Sequence, residues 1–275
     1  MSLMMHAVTA DLLQKITHHL PHALLLSGDV GVGLGSIAKE VARSHSSHPT
    51  VILPEKDEVV DLEKGSITVD GIRRLYNDTR TKQATKRIFV IDYAERMTIQ
   101  AQNAFLKLLE EPREGTHFIL ASHDPQRLLP TTRSRMQHQE IRRITPQQSN
   151  SLLDALDVKD VTKRSQLLFM AEGLPAEISR LAINETYFEE RVSIVRHART
   201  LLQGSDYEKV MIAHLYQSDR PKALLLLQNA SRIIRHSLDT QPQIAMINQL
   251  EKLLVTMQRI ESNGNIRLLL ARFVL

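Results

Sequence analysis

Arg87-Ile-Phe-Val-Ile-Asp92, Gln100-Ala-Gln-Asn-Ala-Phe-Leu-Lys-Leu-Leu-Glu-Glu-Pro112 and His117-Phe-Ile-Leu-Ala121 decide how this chain folds. The first segment is a short apolar run, rich in β-branched residues, that stops on Asp92. That is the pattern of a buried parallel strand. In the second, Ala101, Ala104, Phe105, Leu108 and Leu109 recur at helical spacing. Pro112 stops that helix and Gly115 turns the chain. The third segment is a second apolar run. Strand, helix and strand over about thirty residues make a βαβ unit with a parallel sheet.

The same pattern extends in both directions. Upstream, Thr9 is expected to cap a helix from Ala10 to His19. Ala23-Leu-Leu-Leu-Ser27 reads as a buried strand, followed by Gly28-Asp-Val-Gly-Val-Gly-Leu-Gly35 and a helix from Ser36 to Arg43. Val51 to Leu53 and Gln137 to Ile141 are two more short strands, and Val69 to Thr79 is a helix. Beyond Thr145-Pro146, a cap followed by a first-turn proline, the pattern is helical to the end. The sequence therefore divides into a parallel α/β domain over residues 1–145, a small helical lid over 146–185 and a helical bundle over 186–275.

Composition narrows the class. The 275 residues are 42% hydrophobic and 24% charged with a net charge of +4, which is ordinary for a globular protein. Cysteine is absent, which excludes disulfides and thiolate metal sites. No apolar run reaches the ~18 residues of a membrane span, and neither a signal peptide nor a membrane partner is expected. The expected location is cytoplasmic. Aromatics are 4%, too few for base-stacking platforms. Arg73, Arg74, Arg80, Lys82, Lys86 and Arg87 form a basic cluster, with a solvated face and a DNA-facing surface as its two readings.

Strand, glycine loop and helix are the setting of a phosphate-binding loop. Such a loop needs Gly-x4-Gly-Lys-Ser/Thr. Backbone N–H groups take the phosphates, lysine neutralises charge and the hydroxyl holds Mg²⁺. Gly28 and Gly33 have the right spacing and Gly31 lies between them. Leu34, however, stands in the lysine position and Gly35 in the hydroxyl position. One charge contact at ~4 Å is worth roughly 4 kcal/mol at an effective dielectric of about 20. Its loss would cost about three decades of affinity. A tight turn that binds nothing is the alternative reading of this loop. His45 and His48 lack further ligands nearby, so no metal site is expected.

Asn103-Ala-Phe-Leu-Lys-Leu-Leu-Glu-Glu-Pro112, Phe118-Ile-Leu120, Leu128-Leu-Pro130 and Arg133-Ser-Arg135 resemble the clamp-loader branch of the AAA+ ATPases. The resemblance is close over about residues 20–143 and weaker to about 183. It implies an AAA+ parallel-sheet domain, a lid and a collar-type bundle. It also implies a Mg²⁺-holding Asp92 followed by a water-orienting glutamate, whose place Tyr93 takes, with Glu95 two positions on. Ser122 and His123 fall at the strand-end sensor. Ser134 and Arg135 match the motif whose arginine acts as a finger on a neighbour's ATP. Gly28, Gly31, Gly33, Leu34, Gly35 and Asp92 are then vestiges of a nucleotide site. The four-cysteine zinc module usual in such subunits is missing.

The implied role is a non-catalytic subunit of the DNA polymerase III clamp loader, part of the holoenzyme assembly. It would hold no cofactor of its own; neighbours would bind ATP and Mg²⁺. Its partners would be the loader ATPase and delta-type subunits, through the bundle and the AAA+ face, with sliding clamp and primed DNA met through the complex. The competing implication is an active AAA+ ATPase of replication or recombination.

Overall fold

In a computed structural model, residues 5–46, 48–62, 64–80 and 86–274 are described. The chain splits into two compact units, Met1–Ala182 and Ile183–Leu275.

The first unit is built on a five-stranded parallel sheet. Its strands are β1 (Ala23–Ser27), β2 (Thr50–Ile52), β5 (Arg87–Ile91), β6 (Thr116–Ser122) and β7 (Gln137–Glu140), lying in the order β2-β5-β6-β1-β7. All four pairings are parallel. Period-two alternation sends side chains to both faces. Leu24, Leu26, Ile88, Val90, Ile119 and Ala121 pack with α2 (Leu34–Arg43) and with Leu13, Ile16 and Leu20 in and just beyond α1 (Ala7–His18). Leu25, Phe89, Ile91, Phe118 and Leu120 pack with α3 (Val69–Arg80) and α4 (Ile99–Glu110). Double-sided burial explains why these strands read as unbroken apolar runs. Phe105 of α4 meets Phe118 edge-on at 5.1 Å, and both are fully buried. Each such ring contributes about 2–3 kcal/mol by burial.

The helix of residues 100–112 starts at Ile99 because the Thr98 hydroxyl accepts the Ala101 N–H at 3.1 Å. Two local expectations fail. Thr9 lies inside α1 rather than at its cap, and its buried hydroxyl accepts the Arg142 N–H at 3.4 Å. Between Ile52 and α3 the sequence analysis has no hairpin, yet β3 (Glu55–Lys56) and β4 (Val59–Val60) pair antiparallel. Their turn residues, Asp57 and Glu58, have φ of 51° and 63°. That geometry ordinarily signals itself by Asn-Gly or Asp-Gly, and neither is present. In the basic cluster, Arg73 pairs with Asp70 and Arg74 with Glu55. Lys82 and the Arg80 side chain lie outside the described residues.

The rest of the first unit comprises α5 (Pro130–Arg133), α6 (Pro146–Ala155), α7 (Val161–Ala171) and α8 (Pro175–Ile183). Thr145 and Gln148 form a full capping box at the start of α6.

The second unit is helical throughout its described residues: α9 (Glu185–Gln203), α10 (Asp206–Leu215), α11 (Arg220–Thr240), α12 (Ile244–Glu261) and α13 (Ile266–Val274). Ala198, Leu201, Leu226, Leu227, Ala230, Leu253, Ile260 and Leu270 form its core. Leu268, Leu269 and Leu270 are a run of three apolar residues in α13. A 3.6-residue period cannot turn three successive residues inward, and Leu268 is 67% exposed while Leu270 is fully covered. Tyr207, Val210, Met211 and Leu215 leave an apolar stripe exposed along α10. Ile244, Ile247 and Leu254 do the same on α12. No helix of the described residues is long and apolar enough to cross a membrane.

Candidate functional site

The sheet reverses direction of build at β1, whose neighbours are the fourth and last of its strands. Ligands of open parallel sheets sit beyond the carboxyl ends of the strands at such a point. The glycine loop leaves β1 there. Gly28 is required by close approach, since a Cβ would come within 2.7 Å of the Ile141 carbonyl oxygen. Gly31 and Gly33 both have φ of 93°, a left-handed conformation that glycine adopts without strain.

This loop is closed on itself. Leu34, in the lysine position, is 1% exposed and belongs to the core with Ile37, Ala38 and Leu174. Gly35, in the hydroxyl position, lies against Asp92, and a Cβ built there would overlap the carboxylate. The carboxylate thus takes the space a threonine side chain would need. The Gly31 carbonyl accepts two N–H groups from the first turn of α8, those of Ala176 at 3.0 Å and Glu177 at 3.2 Å. These are among the orphan donors of a helix start. A Cβ at Gly33 would touch the Ala176 methyl at 3.5 Å. Asp29 puts a carboxylate into the loop, and Arg143 ties it at 2.7 Å to the body and, at 3.1 Å, to Glu172. Burial works against the Arg143 charge, but its two carboxylate partners outweigh it and raise its pKa.

Asp92 is 7% exposed. Burial pushes its carboxyl above the usual range, while Lys39, the Tyr93 N–H and His123 act in the opposite direction. Lys39 sits one helical turn beyond Gly35, near enough for its charge to act on the carboxylate. Sequence spacing did not single it out. Tyr93 adopts a left-handed backbone, φ 55°, and sets its ring edge-on to His123 at 5.7 Å. Glu95 accepts the His123 N–H at 3.2 Å, and His123 Nδ1 bonds the Gly28 carbonyl at 3.0 Å. Glu95 therefore serves the loop's framework. Ser122 is fully buried, and among the described residues its hydroxyl finds no partner. Among the described residues, no group of three or more His, Asp or Glu is arranged to hold a metal ion.

Arg135 stands on a different footing. The chain runs from β6 through a 3-10 turn, Pro125–Arg127, into α5 and then Ser134 and Arg135. Buried Gln102 of α4 holds this stretch. Its Nε2 donates to the Met97 and Arg127 carbonyls, each at 3.2 Å, and its Oε1 accepts the Leu129 N–H at 2.6 Å. Sequence reasoning missed Gln102, because a glutamine among helix residues carries no signal until its partners are known. Met136 anchors the far side in the core. The Ser134 hydroxyl donates to the Thr131 carbonyl at 3.1 Å. Arg135 Nη1 donates to the same carbonyl at 2.9 Å, and Nη2 pairs with Glu110 at 2.6 Å. The Arg135 side chain is 37% exposed. Arg133 instead donates to Gln126 at 2.8 Å.

Residues 6–145 match the family model described as DNA polymerase III, delta subunit. The delta' subunit of DNA polymerase III from Bacillus subtilis (strain 168) is 25% identical over 308 residues, which cover 93% of this chain and 90% of that protein. The gamma/tau subunit from Mycobacterium tuberculosis (strain ATCC 25618 / H37Rv) is 34% identical over 151 residues, 48% of this chain. The match spans only 26% of that longer protein. The crystal structure of a DNA polymerase III gamma subunit-related protein from Thermotoga maritima superposes with a TM-score of 0.56 at 20% identity, covering 97% of each chain. That last likeness speaks to the fold.

Proposed function

The chain belongs to the DNA polymerase III delta-subunit family, within the AAA+ clamp loaders, and we propose that it is the non-catalytic, delta'-type member of such a complex. In this reading it neither binds nor hydrolyses ATP. It holds Arg135 against the nucleotide of an adjacent ATPase subunit, which binds ATP and Mg²⁺, and the complex loads a sliding clamp onto primed DNA. The apolar stripes on α10 and α12 support contact with other subunits through the bundle.

One observation carries the reading: the same unit contains a filled nucleotide loop and a braced, charged Arg135. Leu34, Gly35 and Tyr93 remove three parts of the phosphoryl-transfer apparatus together. The first turn of α8 packs on Gly31, and no lysine stands in the motif position to meet a phosphate. An arginine suits the finger role because its planar fork stays charged and matches phosphoryl oxygens. The reading of the chain as an active ATPase has no observation of this kind in its favour.

Calorimetric titration of the isolated chain with ATP and Mg²⁺ tests the first half. No heat of binding is expected at micromolar to submillimolar nucleotide. Micromolar affinity, or turnover above background, would return the loop to service.

A further inference from the structure

We propose that Glu110 is the resting counter-ion of Arg135, and that the guanidinium trades this carboxylate for the terminal phosphoryl group of a triphosphate presented by the adjacent subunit. The inference rests on the reading of Arg135 as a finger.

The geometry separates what is fixed from what can move. The backbone that carries Arg135 is held by Gln102, by buried Thr132 and by Met136. Within the guanidinium, Nη1 bonds the Thr131 carbonyl of the preceding helix, whereas Nη2 reaches out to Glu110 at 2.6 Å. Exchange at Nη2 therefore needs no change of backbone. The carboxylate side chain is 50% exposed and the arginine 37%, so water and salt screen the pair. A solvent-exposed ion pair shifts an equilibrium by a factor of about five or less. A finger in trans changes turnover by about 10³ to 10⁵. The charge that develops on the phosphoryl group in the transition state therefore outweighs the carboxylate whenever it is within reach. Without it the carboxylate keeps the arginine in one place, close to its working position. Helix α4 thus acts at both ends: Gln102 braces the loop and Glu110 occupies the charge.

The pair makes a specific kinetic signature. If Glu110 competes with phosphate for the same nitrogen, its removal favours engagement of the finger. Glu110→Gln should raise kcat/KM for ATP at the site facing this chain in the reconstituted complex by about two- to fivefold at low salt. The gain should shrink as salt rises from 50 to 200 mM, because screening already weakens the pair in the unmodified chain. It should also vanish in the double variant Glu110→Gln/Arg135→Ala, which should match Arg135→Ala alone. A merely structural glutamate would produce neither the salt dependence nor the non-additivity.

The experiment is DNA-stimulated ATPase of the complex reassembled with its ATPase subunits, clamp and primed DNA. Subunit stoichiometry is checked for each variant. Exchange is overturned if Glu110→Gln equals the unmodified chain while Arg135→Ala is severely impaired. It is also overturned if the gain persists without Arg135. Loss of activity in Glu110→Gln, to the level of Arg135→Ala, would make Glu110 a support of the working position instead. No effect of Arg135→Ala is a different pattern, and it removes the finger together with the exchange.

Discussion

The glycine loop and the Arg135 loop both leave strands of one sheet, and both match a sequence motif in part. Their fates differ. Around the glycine loop, three positions of the nucleotide motif face protein: Leu34 the core, Gly35 the Asp92 carboxylate, Gly31 the first turn of α8. Around Arg135, the backbone is braced from below while the charge stays at the surface on an exchangeable partner. A site for a ligand is lost when its space is filled. In the proposed reading, Arg135 needs only a held stem, because the space it acts in belongs to another subunit.

The largest effect expected from this contrast is on turnover. Arg135→Ala should lower ATPase at the one facing site of a reconstituted complex by about 10³ to 10⁵, with this chain still folded and assembled. Arg133→Ala is the control, since that side chain is engaged with Gln126. Equal activity of Arg135→Ala and the unmodified chain would leave both loops without a nucleotide role.

Leu34→Lys asks whether restoring one residue revives the loop. At 1% exposure the new ammonium would be buried among Ile37, Ala38 and Leu174. A loss of more than about 3 kcal/mol in denaturant unfolding is expected, with no ATP binding gained. Binding without that loss would mean the loop is open after all.

Gly35→Thr is a milder probe of the same closure. The new Cβ must displace the buried Asp92 carboxylate, at a cost of about 1–3 kcal/mol. Combining it with Asp92→Ala should recover part of that loss. Strictly additive losses would show that the two positions do not share the space.

The smallest effect is a gain. A carboxyl whose pKa is raised on folding holds its proton more tightly in the native state. The cost of its charge is absent below the unfolded value of about 4 and fully present above the native value. Asp92→Asn keeps an oxygen for the Tyr93 N–H, which Asp92 accepts at 3.1 Å. It should stabilise the chain by roughly 1 kcal/mol at pH 7, and the advantage should fade as pH falls through the native pKa. Stabilisation that instead grows in acid would contradict burial as the dominant cause.

Legibility followed the range of the interactions. The strands at Ala23–Ser27 and Arg87–Ile91 and the helix at Ile99–Glu110 agree with the sequence to within a residue or two at their ends, since their periodicity and stops are local. The β3–β4 hairpin was missed because Asp57 and Glu58 take positive φ without the residues that usually announce it. Thr9 was misplaced because its hydroxyl answers to Arg142, far away in sequence. Glu95 was placed two positions beyond the expected glutamate, and its partner at His123 lay out of view because the two are distant in sequence.

By itself the sequence determined the parallel α/β class, the helical remainder and the loss of lysine, hydroxyl and glutamate from the nucleotide apparatus. These follow from residue type and spacing along one strand or one helix. Only the tertiary structure decided that the glycine loop packs against α8 and Asp92, that Gln102 braces the Arg135 loop and that Glu110 holds Arg135. Each of those contacts joins segments distant in sequence. Their geometry is set by how the helices pack on the sheet, and neither periodicity nor motif encodes that packing.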